Sequence, residues 1–162
     1  MHFARREQEQ SDSIEATGKP MQLELPFTRR PRLLIVEDDY DSLELLSLFL
    51  SSRGYSIITA QTGRQALEAI ESYPDIDVVL LDLFIPGVGG MDVLAEINKR
   101  ETHPGVIILT ALPDRQIAQK AMKLGAFDCI LKPADLAHVE SSINACLDHI
   151  EYRQQSWWKR LA

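Results

Sequence analysis

From Arg32 onward the chain alternates between two kinds of apolar pattern. Leu33-Leu34-Ile35-Val36, Val78-Val79-Leu80-Leu81 and Val106-Ile107-Ile108-Leu109 are unbroken aliphatic runs too short for helices, so they predict strands buried on both faces. Tyr55–Ala60 and Cys129-Ile130-Leu131 predict two more strands. Between the runs the apolar positions take helical spacing. Leu43, Leu46, Phe49 and Leu50 predict a helix that stops at Arg53-Gly54, where glycine suits the position just past a helix end. Gln65–Ser72, Met91–Arg100 and Asp114–Leu124 predict three further helices, the last closed by Gly125. Leu136, Val139, Ile143, Leu147 and Ile150 line one face of a final helix.

This is five strand–helix units in about 120 residues. Right-handed crossovers cover both faces of a parallel sheet with helices, and five units are too few to close an eight-stranded barrel. The expected architecture is therefore an open, doubly wound, five-stranded parallel α/β sheet, whose ligands bind at the carboxyl ends of the strands. Residues 1–31 are read as an extension punctuated by Pro20, Pro26 and Pro31. Within it Leu23, Leu25 and Phe27 alternate, so Met21–Phe27 is either a linker or a docked edge peptide. Residues 32–150 form the domain, and residues 151–162 a tail or an extension of the last helix.

Charge sharpens the picture. The chain carries 17 Lys and Arg against 24 Asp and Glu, a net −7. Residues 32–150 hold eighteen of the acids and nine of the bases. That balance argues against a protein that grips nucleic acid through its phosphates. Cys129 and Cys146 are too few for a disulfide framework or a four-thiolate zinc site. No secretory signal and no apolar run long enough to span a bilayer is present, so a cytoplasmic protein is expected.

The predicted strands end in complementary chemistry. The first runs into Glu37-Asp38-Asp39, the third into Asp82, the fourth into Thr110 and the fifth into Lys132-Pro133. Several carboxylates at one sheet edge resist joint ionisation unless a cation offsets them. A hard, oxygen-seeking Mg²⁺ suits that donor set. Cation, ammonium, hydroxyl and a lone carboxylate together make a cradle for a phosphoryl group, with Asp82 as the nucleophile. Each residue alone has a plainer reading: Asp39 or Asp41 as a helix cap, Thr110 as a cap, Lys132-Pro133 as a turn.

The segments LLIVEDD, VVLLDLFIPGVGGMDVL, VIILTA and KLGAFDCILKP, in that order, resemble the receiver domain of two-component response regulators over about Arg32 to Ile150. The resemblance implies a (βα)5 flavodoxin-like fold with strand order 2-1-3-4-5. It implies that Asp82 accepts a phosphoryl group from the phosphohistidine of a sensor histidine kinase or a phosphotransfer protein. Asp38 would be the direct Mg²⁺ ligand, Glu37 would act partly through water, and the backbone carbonyl of Phe84 would complete the protein ligands with Asp82. Thr110 would hydrogen-bond the phosphoryl oxygen and Lys132 would ion-pair with it. A cis Lys132–Pro133 bond is also implied. Phosphorylation would bias a two-state equilibrium at the face formed by the fourth strand, fourth helix and fifth strand.

Departures from the family pattern are equally readable. Cys129 stands where an aromatic residue is usual, and Ala134 follows Lys-Pro where Phe is common. Cys129 is either a small buried strand residue or a regulatory thiol. Phe84 and Leu112 are apolar at positions where polar side chains help to place a hydrolytic water, which predicts slow self-dephosphorylation. The segments before and after the domain are short for a DNA-binding or enzymatic output, so a stand-alone, chemotaxis-type switch that signals through protein contacts or a phosphorelay is expected. Ile143, Leu147, Ile150, Gln154, Trp157 and Leu161 step by 4, 3, 4, 3 and 4, a seam suited to a homodimer, unless the tryptophans fold back on their own domain. Three rival readings differ in kind. A haloacid-dehalogenase-like phosphohydrolase wants a second Asp at position 84. A dinucleotide-binding domain wants a glycine-rich turn after the first strand, where Glu-Asp-Asp stands. A receiver that is never phosphorylated would be a docking module.

Overall fold

The computed structural model describes residues 29–161. Met21–Phe27 and the side chains of Trp157 and Trp158 lie outside what it describes. Five strands, β1 (Arg32–Val36), β2 (Ser56–Ala60), β3 (Val78–Asp82), β4 (Gly105–Thr110) and β5 (Asp128–Leu131), alternate with five helices. The helices are α1 (Tyr40–Ser52), α2 (Gly63–Ser72), α3 (Gly90–Asn98), α4 (Arg115–Lys123) and α5 (Leu136–Leu161). All pairings are parallel and the sheet order is β2-β1-β3-β4-β5, the predicted flavodoxin-like arrangement.

Strand alternation sorts the core into two layers. Leu33, Ile35, Val78, Leu80, Ile107, Leu109 and Ile130 pack against Leu43, Leu46 and Leu50 of α1 and Val139, Ile143 and Leu147 of α5. Leu34, Val36, Val79, Leu81, Val106 and Ile108 pack on the other side, against α2, α3 and Ala121 of α4. The three central strands are buried almost throughout, whereas edge strands β2 and β5 are only partly so. This is why three aliphatic runs stand out in the sequence and the two edge strands read less plainly.

Helix starts follow local chemistry. Asp39 caps α1 by accepting the Ser42 N–H at 2.8 Å, and Asp114 caps α4 by accepting the Gln116 N–H at 2.7 Å. α2 begins two residues before the first residue predicted, because Thr62 Oγ1 accepts the Gln65 N–H at 3.2 Å and fixes the turn there. α5 runs unbroken to Leu161, 26 residues and about 39 Å long. At the opposite end of the sheet Asp77 accepts from both terminal nitrogens of the Arg29 guanidinium, at 2.9 and 3.0 Å, and from the Arg32 N–H at 2.7 Å. The Lys132–Pro133 peptide is cis.

Cys146 on α5 lies against the bare backbone of Gly105, where an added Cβ would meet its Sγ at 2.2 Å. Burial pushes its thiol up to about 12. Only the neutral thiol suits the fold, so this contribution to stability is intact below the ordinary thiol pKa and lost as pH rises from there toward 12. Iodoacetamide at pH 8 is expected to modify Cys146 in the native chain at least about a hundredfold more slowly than in the urea-unfolded chain. Peptide mass mapping of the two samples reads the ratio, and equal rates contradict it.

Candidate functional site

Parallel pairing delivers every strand's carboxyl end to one edge, and register decides which residues meet there. Val36 pairs with Leu81, so Glu37 and Asp82 come level one step later. Asp82 pairs with Leu109 and Thr110 with Leu131, which puts Thr110 and Lys132 one step further along on the neighbouring strands. Alternation then chooses the face. Glu37 continues the parity of Leu33 and Ile35, Asp82 that of Val78 and Leu80, and Lys132 that of Ile130, all toward α1 and α5. Thr110 continues the parity of Val106 and Ile108, toward the opposite layer.

Glu37 is 2% exposed and Asp82 6%. Lys132 Nζ donates to Glu37 Oε2 and, at 3.0 Å, to Asp82 Oδ2. The second oxygen of each acid takes a backbone N–H two residues on: Glu37 Oε1 from Asp39 at 3.1 Å, Asp82 Oδ1 from Phe84 at 3.0 Å. One ammonium is therefore shared by two carboxylates. Burial raises the Glu37 pKa above its ordinary value, and the lysine and the Asp39 N–H only partly oppose it. Burial pulls the Lys132 ammonium down, but hydrogen bonds and charge from Glu37 and Asp82 outweigh it and leave its pKa raised.

Asp38, exposed beside them, brings a third carboxylate, and oxygens of Glu37, Asp38 and Asp82 lie within 4.8 Å of one another. Three carboxylates against one ammonium leave two negative charges, the deficit a divalent cation makes good. The donor set thus fits Mg²⁺. The structure brings Glu37, Asp38, Asp82 and Lys132 into one group. Thr110 is buried on the next strand, where its Oγ1 accepts the Leu112 N–H at 3.2 Å. Of Phe84 the backbone N–H makes the contact to Asp82, and its side chain is half exposed. Tyr40, Val88 and Leu112 are also exposed around this edge. Asp39 is a helix cap, its pKa lowered by the bond from Ser42, and takes no place in the cluster.

One part of the site, a glycine at the start of α3, is not visible as such in the sequence. Gly90 begins α3 directly behind Asp82, and an added Cβ there would lie 2.5 Å from the Asp82 carbonyl oxygen. Its trace in the sequence is the Gly89-Gly90 pair. Cys129 packs against the α2–α4 layer, and burial raises its thiol pKa, which is the behaviour of a structural strand residue. A cavity of about 330 Å³ lies at the opposite edge, lined by Arg29, Tyr73, Asp77, His103 and Ile150, and shares no residue with the acidic site.

Comparison with known proteins agrees with this geometry. A family model described as the response regulator receiver domain matches residues 33–144. A cyclic di-GMP phosphodiesterase of Thermotoga maritima is 34% identical over 115 residues, covering 71% of this chain and 30% of that protein. The transcriptional regulatory protein GlrR of Escherichia coli is 35% identical over 127 residues, covering 78% and 28%. The chain spans between 25% and 49% of the length of such curated relatives. Among solved structures, a response regulator receiver domain from Clostridium thermocellum is similar with a TM-score of 0.72 at 32% identity, covering 75% of this chain and 98% of that one. The CheX–CheY–BeF3–Mg²⁺ complex from Borrelia burgdorferi contains a chain matched with a TM-score of 0.66 at 31% identity, covering 71% and 87%.

The shared ammonium has a measurable consequence. Without divalent cation, Lys132→Met leaves the buried Glu37 carboxylate unpaired and is expected to cost about 3 kcal/mol at pH 7. A carboxyl whose folded pKa is raised loses stability as pH rises from its unfolded pKa through its folded one. The part of that cost owed to Glu37 should therefore shrink as pH falls toward the ordinary glutamate value of 4.5 and be absent well below it. Urea titrations of both proteins across that pH range check this, and a pH-independent difference contradicts it.

Proposed function

The chain belongs to the response regulator receiver family, and from that premise we propose that it is a Mg²⁺-dependent phospho-accepting switch with Asp82 as the acceptor. The observation that carries the reading is the strand-end group in which Lys132 joins Glu37 and Asp82 beside the exposed Asp38. The Mg²⁺-bearing CheX–CheY complex among its structural relatives supports the same cofactor.

An Asp82 carboxylate oxygen attacks phosphorus, the P–O bond forms, and the P–N bond to the donor imidazole breaks. The imidazole leaves with the bonding pair and takes up a proton, and Asp82 becomes an acyl phosphate. Glu37, Asp38, Asp82 and the Phe84 carbonyl would hold Mg²⁺, which supplies positive charge to the phosphoryl oxygens. Lys132 turns from the carboxylate it now contacts to the incoming phosphoryl oxygens, and its bond to Glu37 keeps it over the site. The donor in this reading is the phosphohistidine of a sensor kinase or phosphotransfer protein. Output passes through contact with another protein.

Thr110 connects this chemistry to the rest of the fold. Its hydroxyl is now bonded to Leu112, at the head of the loop that leads to α4. Recruiting that hydroxyl to a phosphoryl oxygen would release the loop. α4 buries only Ala121, whereas α1 buries Leu43, Leu46 and Leu50, so α4 is the cheaper helix to move. This supports a two-state element at the β4–α4–β5 face.

Incubation with Mg²⁺ and a small acyl phosphate is expected to add one phosphoryl mass to the wild type and none to Asp82→Ala. An unlabelled but folded wild type would leave the docking-module reading, and equal labelling of the variant would remove Asp82 as acceptor. The apolar Phe84 and Leu112 offer no group to position water, so Phe84→Asn with Leu112→Glu should shorten the phosphoryl half-life by about tenfold or more. A radiolabel chase measures it, and an unchanged half-life removes this account of a long-lived signal.

A further inference from the structure

We propose that Gly63, at the start of α2 and outside the acidic cluster, is a positioning residue that sets the β3–α3 loop and thereby the Mg²⁺ affinity of the site. The inference rests on the Mg²⁺ reading above. A Cβ at Gly63 would fall 2.0 Å from the Val88 carbonyl oxygen, 2.8 Å from its carbon and 2.9 Å from its Cβ. The neighbouring atoms at closest range are backbone, which no rotamer change can move aside. The crest of the loop therefore rests on the first residue of α2.

The helix side of this contact does not yield. Thr62 Oγ1 holds the Gln65 N–H, and Gln65 Oε1 in turn accepts the Gln61 N–H at 2.8 Å, so the start of α2 is locked by reciprocal caps. Ala66 and Ile70 anchor the same helix in the core. The loop, by contrast, leaves β3 at Asp82, turns at Gly87 with φ 77°, and rejoins the fold at Gly90. Gly90 seats against the backbone of Asp82 and Leu83, and its N–H donates to the Leu83 carbonyl at 3.2 Å. The segment carrying Phe84 is thus clamped at its base by Gly90 and at its crest by Gly63. Any side chain at Gly63 must push Val88 outward, and the nearest backbone bonded to the site is Phe84, whose N–H holds Asp82 Oδ1.

The two effects of Gly63→Ala have opposite signs. Alanine is the better helix former of the two. Displacement of the loop weakens a ligand set that depends on backbone placement. In the full-length chain, Gly63→Ala should keep its circular dichroism and weaken Mg²⁺ binding about tenfold, read by amide shifts of residues 82–90 during MgCl₂ titration. Val88→Gly, a change at a partly exposed loop position, should weaken it in the same direction by about threefold. Mg²⁺ dissociation constants within twofold of wild type for both variants overturn the proposal. A wild type that shows no Mg²⁺-dependent shifts overturns the Mg²⁺ reading itself. If amide shifts of residues 84–89 differ between metal-free wild type and Gly63→Ala in that case, the loop contact stands without its metal role.

Discussion

One ammonium serving two buried carboxylates is the constraint around which the carboxyl edge is organised. Lys132, after β5, reaches past β4 and β3 to Glu37 at the end of β1, so the residues that end the first and last strands in sequence are joined directly. The contact is possible only because parallel strands bring their ends to one edge and because alternation places all three side chains on the same face. Its imperfection is as informative as its existence. A fully neutralised pair would leave Glu37 an ordinary acid, but burial holds its pKa up even with the lysine present. The site is stable enough to fold and still short of positive charge.

That shortfall accounts for the neighbourhood. Backbone N–H groups of Asp39 and Phe84 satisfy the carboxylate oxygens that the lysine cannot reach, and both come from the second residue after the acid. The chain must therefore turn sharply after β1 and again after β3. After β1 the turn is taken up by α1, capped by Asp39 itself. After β3 it is taken up by a loop with no helix of its own, wedged between Gly90 and Gly63. The two glycines are where backbone meets backbone, Gly90 behind Asp82 and Gly63 against Val88.

Much of this was legible before any coordinates. Three unbroken aliphatic runs declared the central strands, and the acids, threonine and lysine after four of the strands declared one chemical edge. Periodicity located the helices but not their starts, because a start is decided by which side chain caps it; Thr62 moved α2 forward to Gly63. Gly63, Gly90 and Gly105 were opaque for a related reason. A glycine in a sequence announces freedom or absence, and which neighbour fills the space where its Cβ would be is a tertiary fact. The lysine's attachment to Glu37 was hidden as well: strand order and register, more than residue type, decide which of several acids a cation meets.

The sheet also separates the chemistry from its consequence. Glu37, Asp82 and Lys132 share the parity of the α1–α5 layer, where α1 and α5 bury long aliphatic side chains and are held firmly. Thr110 has the other parity, that of the layer containing α4, and its hydroxyl already grips the loop that leads there. Thr110 thus stands on the strand beside Asp82 and at the head of that loop at once. Cys129, on β5, packs against that same layer. α4 buries Ala121 alone, so of the two helices that flank Thr110's loop and the acidic edge, α4 and α1, it is the more lightly held.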